Sequence, residues 1–335
     1  MRALLIGHFS TVGDIEVLSQ VERQLRASRI DYDIASYSRK VRTEGSGWIG
    51  IGDIRPQRYS HLLFVCGPLS RGYLQRTGLD LARFAHCTMV GVNLTMVEPL
   101  DAYDPLDVYV GRDSDRWQKP DLSFMEEVKK VPVAGVCLVK RQGEYGSRQM
   151  HREAAELLNR LAKRAGLALL DLDTEWPAHR NAVGLASPSQ FESLCARCDV
   201  VLTNRLHGMV LALKNEVPVV AIDAISGGGK VSRQARVIGW PEVFGIDDVT
   251  DSVLDAALAR CLALDARQRA RKCAEASRQA IGGFPEELAS ALSTAPGPRR
   301  HGADADEETV PRQPFWRLRP VRSALTRVAK RLRTQ

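Results

Sequence analysis

The chain predicts an α/β protein with two parallel sheets, and three observations carry that expectation. Short continuous apolar runs recur along it, the kind expected for strands covered on both faces. Stretches with apolar residues at helical spacing fall between those runs. A shift to Pro, Gly and charge then separates a basic tail from the body.

Ala3–Ile6 reads as the first strand, and Gly7–Gly13 as a glycine-bearing loop. Asp14 can cap the helix that follows, in which Ile15, Leu18, Val21 and Leu25 recur at helical spacing. Asp31–Ala35, His61–Val65 and Thr88–Val92 are further strands, with a helical stretch around Arg71–Phe84. The joint to a second unit falls near Glu126–Val131. There, Val133–Val139 reads as a strand and Arg148–Arg164 as a helix with Ala154, Leu157, Leu158 and Leu161 on one side. Leu167–Leu172 is a strand, and Ser187 before Pro188 opens a helix to Arg197. Asp199–Thr203 and Pro218–Ile222 are buried strands flanking a helix that starts at Arg205 or Leu206. Asp251–Leu264 and Asp265–Ala280 close the body as helices. The expected organisation is a Rossmann-like domain over 1–128, a second over 129–292 facing it across a cleft, a disordered linker over 293–314 and a basic amphipathic helix over 315–335.

The 335 residues suffice for two domains, and no run approaches the length of a membrane span. His8 and Asp14 interrupt the apolar start too early for a secretory signal, so a cytoplasmic location is expected. The formal net charge of +7 is unevenly placed. Val310–Gln335 holds eight basic residues and no acidic one, which leaves 39 basic against 40 acidic residues before it. In the tail, Val321, Leu325, Val328 and Leu332 share one helical face while Arg322, Lys330 and Arg333 lie across from it. That pattern suits an anionic membrane surface, hence a peripheral location on the inner face of the plasma membrane; nucleic acid is not expected as a partner. The seven cysteines are odd in number and sit mostly in apolar stretches, as reduced thiols do. Cys195-x-x-Cys198 has no second pair and no His at ligand spacing, so no metal site is expected.

Arg205 and His207 fall where a strand becomes a helix, at the carboxyl end of the second sheet. In open α/β sheets that crevice takes ligands, and the helix start adds unpaired N–H groups. An arginine, a histidine and a helix N-terminus together suit a small dianion.

Thr203-Asn204-Arg205-Leu206-His207-Gly208, followed by an Ala-Leu-x-x-x-Val-Pro-Val-Val-Ala-Ile run, resembles the polysaccharide pyruvyl transferase family. Gly7-His8-Phe9-Ser10-Thr11-Val12-Gly13-Asp14, Val108–Ser114, Pro120-Asp121-Leu122-Ser123-Phe124 and Gly229-Lys230-Val231 resemble other elements of that family in the same order. The resemblance spans roughly residues 1–285. It implies a GT-B-like pair of domains that transfers pyruvate from phosphoenolpyruvate to two hydroxyls of a sugar in a cell-surface or exopolysaccharide, forming a cyclic ketal and releasing phosphate. The partners implied are phosphoenolpyruvate as co-substrate and a glycan acceptor, free or lipid-linked, with no other cofactor. His207 is then general acid or phosphate ligand, and Asp14 positions or deprotonates the acceptor. Arg205, Leu206, Lys140, Arg141 and Lys230 are candidates to hold phosphoenolpyruvate, Lys230 from a glycine-rich loop. His8, Thr11 and Arg112 are candidates on the acceptor side, although Arg112 can equally pair structurally with Asp113. The family's glycine-rich strand end is Cys66-Gly67-Pro68-Leu69 here, and the helix before Pro120-Asp121 is compressed to residues 114–120. Two other functions stay open: a nucleotide-sugar-dependent glycosyltransferase of the same architecture, and a catalytically inactive scaffold for polysaccharide assembly.

Overall fold

The structure is a computed structural model and describes residues 1–37 and 47–294. The expected basic helix 315–335 and most of the expected linker lie outside the described residues. The chain divides into two units, one of Met1–Lys130 and one beginning at Val131.

The first unit is a six-stranded sheet. Its elements run β1 (Arg2–Gly7), α1 (Val12–Ala27), β2 (Asp31–Ser36), β3 (Ile49–Gly50), β4 (His61–Leu69), α2 (Arg71–Thr77), β5 (Thr88–Met96) and β6 (Val108–Val110). Every pairing is parallel, in the order β3-β2-β1-β4-β5-β6. Successive residues feed opposite faces, as a pleated strand requires. Leu4, Ile6, Leu62 and Phe64 belong to one buried cluster, while Ala3, Leu5, Leu63 and Val65 belong to the other.

The helix expected over Arg71–Phe84 is broken. Its first part stops at Gly78, whose φ of 73° gives the left-handed turn that ends helices, and Leu81–Phe84 forms a separate 3-10 turn. Thr11, not Asp14, is the N-cap of α1. Asp14 is the third helical residue and completes a capping box with it.

The second unit is a five-stranded parallel sheet in the order β11-β10-β9-β7-β8. Its elements are β7 (Val133–Cys137), α3 (His151–Arg164), β8 (Ala168–Asp171), α4 (Pro188–Cys195), β9 (Val200–Thr203), α5 (Leu206–Lys214), β10 (Val219–Asp223), α6 (Lys230–Ile238), β11 (Val243–Gly245), α7 (Asp251–Cys261), α8 (Ala266–Ala280) and α9 (Phe284–Ser293). All residues of β9 and β10 are buried, which explains their unbroken apolar runs. Ala154, Leu158 and Leu161 on the buried side of α3 join the core of this unit. Ser187 caps α4 by accepting from the Gln190 N–H.

Three expectations need correction here. Lys230 does not lie in a loop but opens α6, because the Asp223 carboxylate accepts from the N–H groups of Gly229 (2.7 Å) and Ser232 (2.9 Å) and so anchors the first turn. The closing helices were expected to end at Ala280, but a further helix, α9, follows over Phe284–Ser293. The helix expected over Asp251–Leu264 ends at Cys261.

Five cysteines are buried and all are free. Burial pushes the Cys195 thiol up to about 12 and the Cys198 thiol up to about 11, so both stay protonated at neutral pH. Among the described residues, no helix is long and apolar enough to cross a membrane, and no group of three or more His, Cys, Asp or Glu could hold a metal ion.

Candidate functional site

In each sheet the connections change direction at one place: between β1 and β4 in the first, between β7 and β9 in the second. Ligands of doubly wound sheets bind outside the carboxyl ends of the strands flanking that point. His8, Thr11 and Asp14 follow β1. Lys140 and Arg141 follow β7, and Arg205, Leu206 and His207 follow β9. Lys230 follows β10, one strand further along.

The end of β9 is lashed to the end of β7 by side chains. Thr203 Oγ1 donates to the Cys137 carbonyl (2.6 Å) and accepts from the Arg205 N–H (3.0 Å). Asn204, 2% exposed, accepts from the Val139 N–H (2.8 Å) and donates to the carbonyls of Val139 (3.0 Å) and His151 (3.2 Å). A Cβ at Gly208 would collide with Thr203 Oγ1 and press on the Cys137 side chain, so only glycine lets α5 start this close to β7.

Arg205 is not the free fork the sequence suggested. Its guanidinium donates to Asp173 (2.7 Å), the Thr174 hydroxyl (2.8 Å) and Glu175 (3.1 Å). Glu175 in turn pairs with Arg180 at 2.8 Å. Burial pushes the Asp173 carboxyl up, but the N–H groups of Ala182 and Glu175 together with Arg205 outweigh it and hold that carboxyl below its ordinary value. Asp173 is therefore an anion at neutral pH and fixes the arginine. A cavity of about 660 Å³ opens beside this cluster, lined by Lys140, Arg141, Asp171, Glu175, Arg180 and Arg205 among others.

The structure thus brings three of the five expected phosphoenolpyruvate ligands, Lys140, Arg141 and Arg205, to one pocket. The Leu206 side chain packs against the core and leaves its backbone N–H as the group it can offer. His207 is exposed on the first turn of α5 and is not among the residues lining the pocket. Lys230 is half-buried, with its ammonium 6.0 Å from the centre of the Tyr145 ring.

In the first unit, Asp14 accepts from the N–H groups of Ser10 (3.1 Å) and Thr11 (3.0 Å), while Thr11 Oγ1 accepts from the Asp14 N–H (3.2 Å). Both side chains therefore serve the start of α1. His8 is exposed, its ring centre 5.7 Å from that of Tyr37 and 5.5 Å from that of Tyr73. Arg112 gives its donors to Asp113 (2.9 Å), Asp121 (2.5 Å) and the Thr95 hydroxyl (2.7 Å), which is the structural role rather than the binding one. Burial pushes the Asp121 carboxyl up, but the Ser123 N–H, the Asn93 amide and Arg112 draw it well below the ordinary carboxylate range.

Sequence reasoning missed Asp173, Glu175 and Arg180 around the pocket, and Asn204 and Asp223 behind it. An available signal was the carboxylate-rich Asp171-Leu172-Asp173-Thr174-Glu175 run that ends a strand and enters the next loop.

Two parallel sheets with helices define an α/β protein with polar groups gathered where the strand order reverses. A polysaccharide pyruvyl transferase domain is found at residues 142–224. That domain supports a transferase that modifies polysaccharide. Spinosyn rhamnosyltransferase SpnG is similar in structure at 12% identity, with 88% of this chain and 100% of that chain covered and a TM-score of 0.34. The UDP-GlcNAc 2-epimerase from Methanocaldococcus jannaschii is similar at 10% identity, covering 78% of this chain and 93% of that one, with a TM-score of 0.29. The glycosyltransferase SsfS6 of Streptomyces sp. SF2575 is similar at 16% identity, covering 82% and 95%, with a TM-score of 0.27. No curated protein matches the chain.

Proposed function

We propose that the chain transfers pyruvate from phosphoenolpyruvate to two hydroxyls of a sugar in a cell-surface or exopolysaccharide. The single observation that carries this reading is the pyruvyl transferase domain at 142–224, which spans Arg205 and His207 and most of the pocket beside them. Phosphoenolpyruvate carries a phosphate and a carboxylate on three carbons, so its site needs cations close together. Lys140 and Arg141 are both exposed and line the pocket. Backbone N–H groups at the start of α5 add donors without losing side-chain entropy. Arg205, held by Asp173 and Glu175, contributes a fixed fork rather than net charge.

In the reaction a proton adds to the methylene carbon and leaves C2 cationic. One sugar hydroxyl attacks C2 and gives up its proton, and the C2–O bond to phosphate breaks. Phosphate leaves with that bonding pair and C2 is cationic again, so the second hydroxyl adds there, gives its proton to the released phosphate and closes the ketal. His207 is the candidate donor of the first proton, because its imidazole stands exposed on the first turn of α5.

A thermal shift on adding phosphoenolpyruvate, but not a uridine diphosphate sugar, is the expected result, followed by phosphate release when an acceptor glycan is supplied. Stabilisation by the nucleotide sugar instead would overturn the reading in favour of a glycosyltransferase. The engagement of Arg205 by two carboxylates favours one further reading, a non-catalytic scaffold. That reading predicts no response to phosphoenolpyruvate at all.

A further inference from the structure

The loop after β8 carries an indole that the rest of the fold does not use. Trp176 is 71% exposed, yet the backbone on either side of it is tightly held. Asn181, 8% exposed, donates to the carbonyls of Asp173 (2.8 Å) and Glu175 (2.9 Å) and accepts from the N–H groups of Val183 (3.1 Å) and Leu185 (3.0 Å). Asp173 accepts from the N–H groups of Glu175 (2.9 Å) and Ala182 (2.8 Å). Arg205 clamps the same loop from the end of β9. A loop fixed by this many bonds holds its largest apolar side chain toward solvent, where burial contributes almost nothing to folding.

The surroundings of the indole specify a ligand. Trp176 borders a second cavity of about 180 Å³ whose walls include Leu185, Pro188, Phe191 and Leu211. Asp173 and Glu175 line both this cavity and the larger one, where Asp171 and Arg180 also lie. The walls of the cavity beside Trp176 include Asp173 and Glu175 and no Lys or Arg, which disfavours a diphosphate there. An apolar ring face beside carboxylates and a guanidinium suits a neutral polyol whose hydroxyls can both donate and accept.

We propose that the Asp173–Val183 loop is a saccharide subsite, with the Trp176 indole packed against the C–H face of one sugar ring and Glu175 and Arg180 bonding its hydroxyls. This rests on the transferase reading only for the role of that sugar as acceptor. Asp173 and Glu175, which line both cavities, would then separate the sugar from the neighbouring cavity of Lys140 and Arg141, where phosphoenolpyruvate is proposed to bind.

The test uses the full chain without phosphoenolpyruvate and a panel of neutral methyl glycosides of galactose, glucose, mannose and N-acetylmannosamine. Saturation-transfer NMR on the wild type is expected to label the ring C–H protons of at least one glycoside. Trp176→Ala should weaken that binding roughly tenfold, the scale of one lost aromatic contact, and Trp176→Phe should restore part of it. Both variants should keep the wild-type melting temperature and the thermal shift with phosphoenolpyruvate. Equal transfer in Trp176→Ala and wild type, or no transfer from any glycoside to the wild type, would overturn the subsite. Displacement of the glycoside by uridine diphosphate would overturn it in favour of a nucleotide. Failure of phosphoenolpyruvate to shift the wild type counts against the transferase reading alone, because the glycoside measurement does not involve it.

Discussion

At the switch point of the first sheet the side chains that emerge are rings on a bent backbone; at that of the second they are charges on a regular one. His8, Tyr37 and Tyr73 meet beyond β1, β2 and β4, and Phe9, Cys66 and Asn93 adopt positive φ values of 48°, 61° and 56° there. In the second unit none of the residues from Lys140 to Arg141 or from Asn204 to Gly208 has positive φ, and geometry is instead fixed by Arg205 with Asp173 and Glu175. The two sheets share a topology but differ in how order is enforced. Left-handed non-glycine residues cost of order 1–3 kcal/mol each and persist only when neighbours over-determine them. A half-buried charge cluster stays in place because removing one member takes a partner from the others. Salt should therefore loosen the Arg205 cluster more than the ring cluster of His8, Tyr37 and Tyr73.

The comparison breaks most sharply at His207. His207→Gln should keep the melting temperature and lower turnover by roughly 10²–10⁴-fold if the imidazole supplies the proton. Phosphate release in a single-turnover assay reads this, and unchanged turnover removes the acid role.

Arg205→Ala comes next. It leaves Asp173 with backbone N–H donors alone and Glu175 with Arg180 as its ion-pair partner, and should lower folding stability by about 2–4 kcal/mol while abolishing the thermal shift with phosphoenolpyruvate. Arg205→Lys keeps the charge but not the fork, so it should recover only part of that stability in urea unfolding.

A smaller effect lies behind the site. His151 is 3% exposed and its Nδ1 has no hydrogen-bond partner; burial holds the imidazole below its ordinary value. Because the unfolded chain accepts that proton near pH 6.5 and the folded chain resists it, stability is fully present above about pH 6.5 and falls as pH drops below it. Urea midpoints at pH 7.5 and 5.5 should diverge in the wild type and converge in His151→Asn.

The smallest change is expected in the first unit. Cys66→Gly relieves a left-handed cysteine and should stabilise by about 1 kcal/mol. A loss of stability instead would show that the Cys66 side chain, which accepts from Asn93 at 3.5 Å, outweighs the backbone strain.

Alternation of apolar runs and helical stretches made both parallel sheets legible in the sequence, because strands buried on both faces and helices buried on one leave different periods. Short edge strands such as β3, β6 and β11 left too little pattern to read. The start of α6 was hidden because its anchor, Asp223, acts through backbone N–H groups after a glycine run that reads as a loop. Arg205 was found by its position after a strand, and Lys140 and Arg141 through the family resemblance. The partners of Arg205 were not, since Asp173 and Glu175 lie some thirty residues earlier and only the strand order β9-β7-β8 brings them near.

The missing side chain at Gly208 gives one position outside the pocket unusual leverage over it. A methyl group there has nowhere to go except by lifting the first turn of α5 off β7, and that turn carries the donors and the imidazole together. Residue 208 is thus a spacer. Its volume sets how far the amides proposed to bind phosphoenolpyruvate stand from the sheet, so alanine at 208 should lower any turnover while every polar group named above is still present.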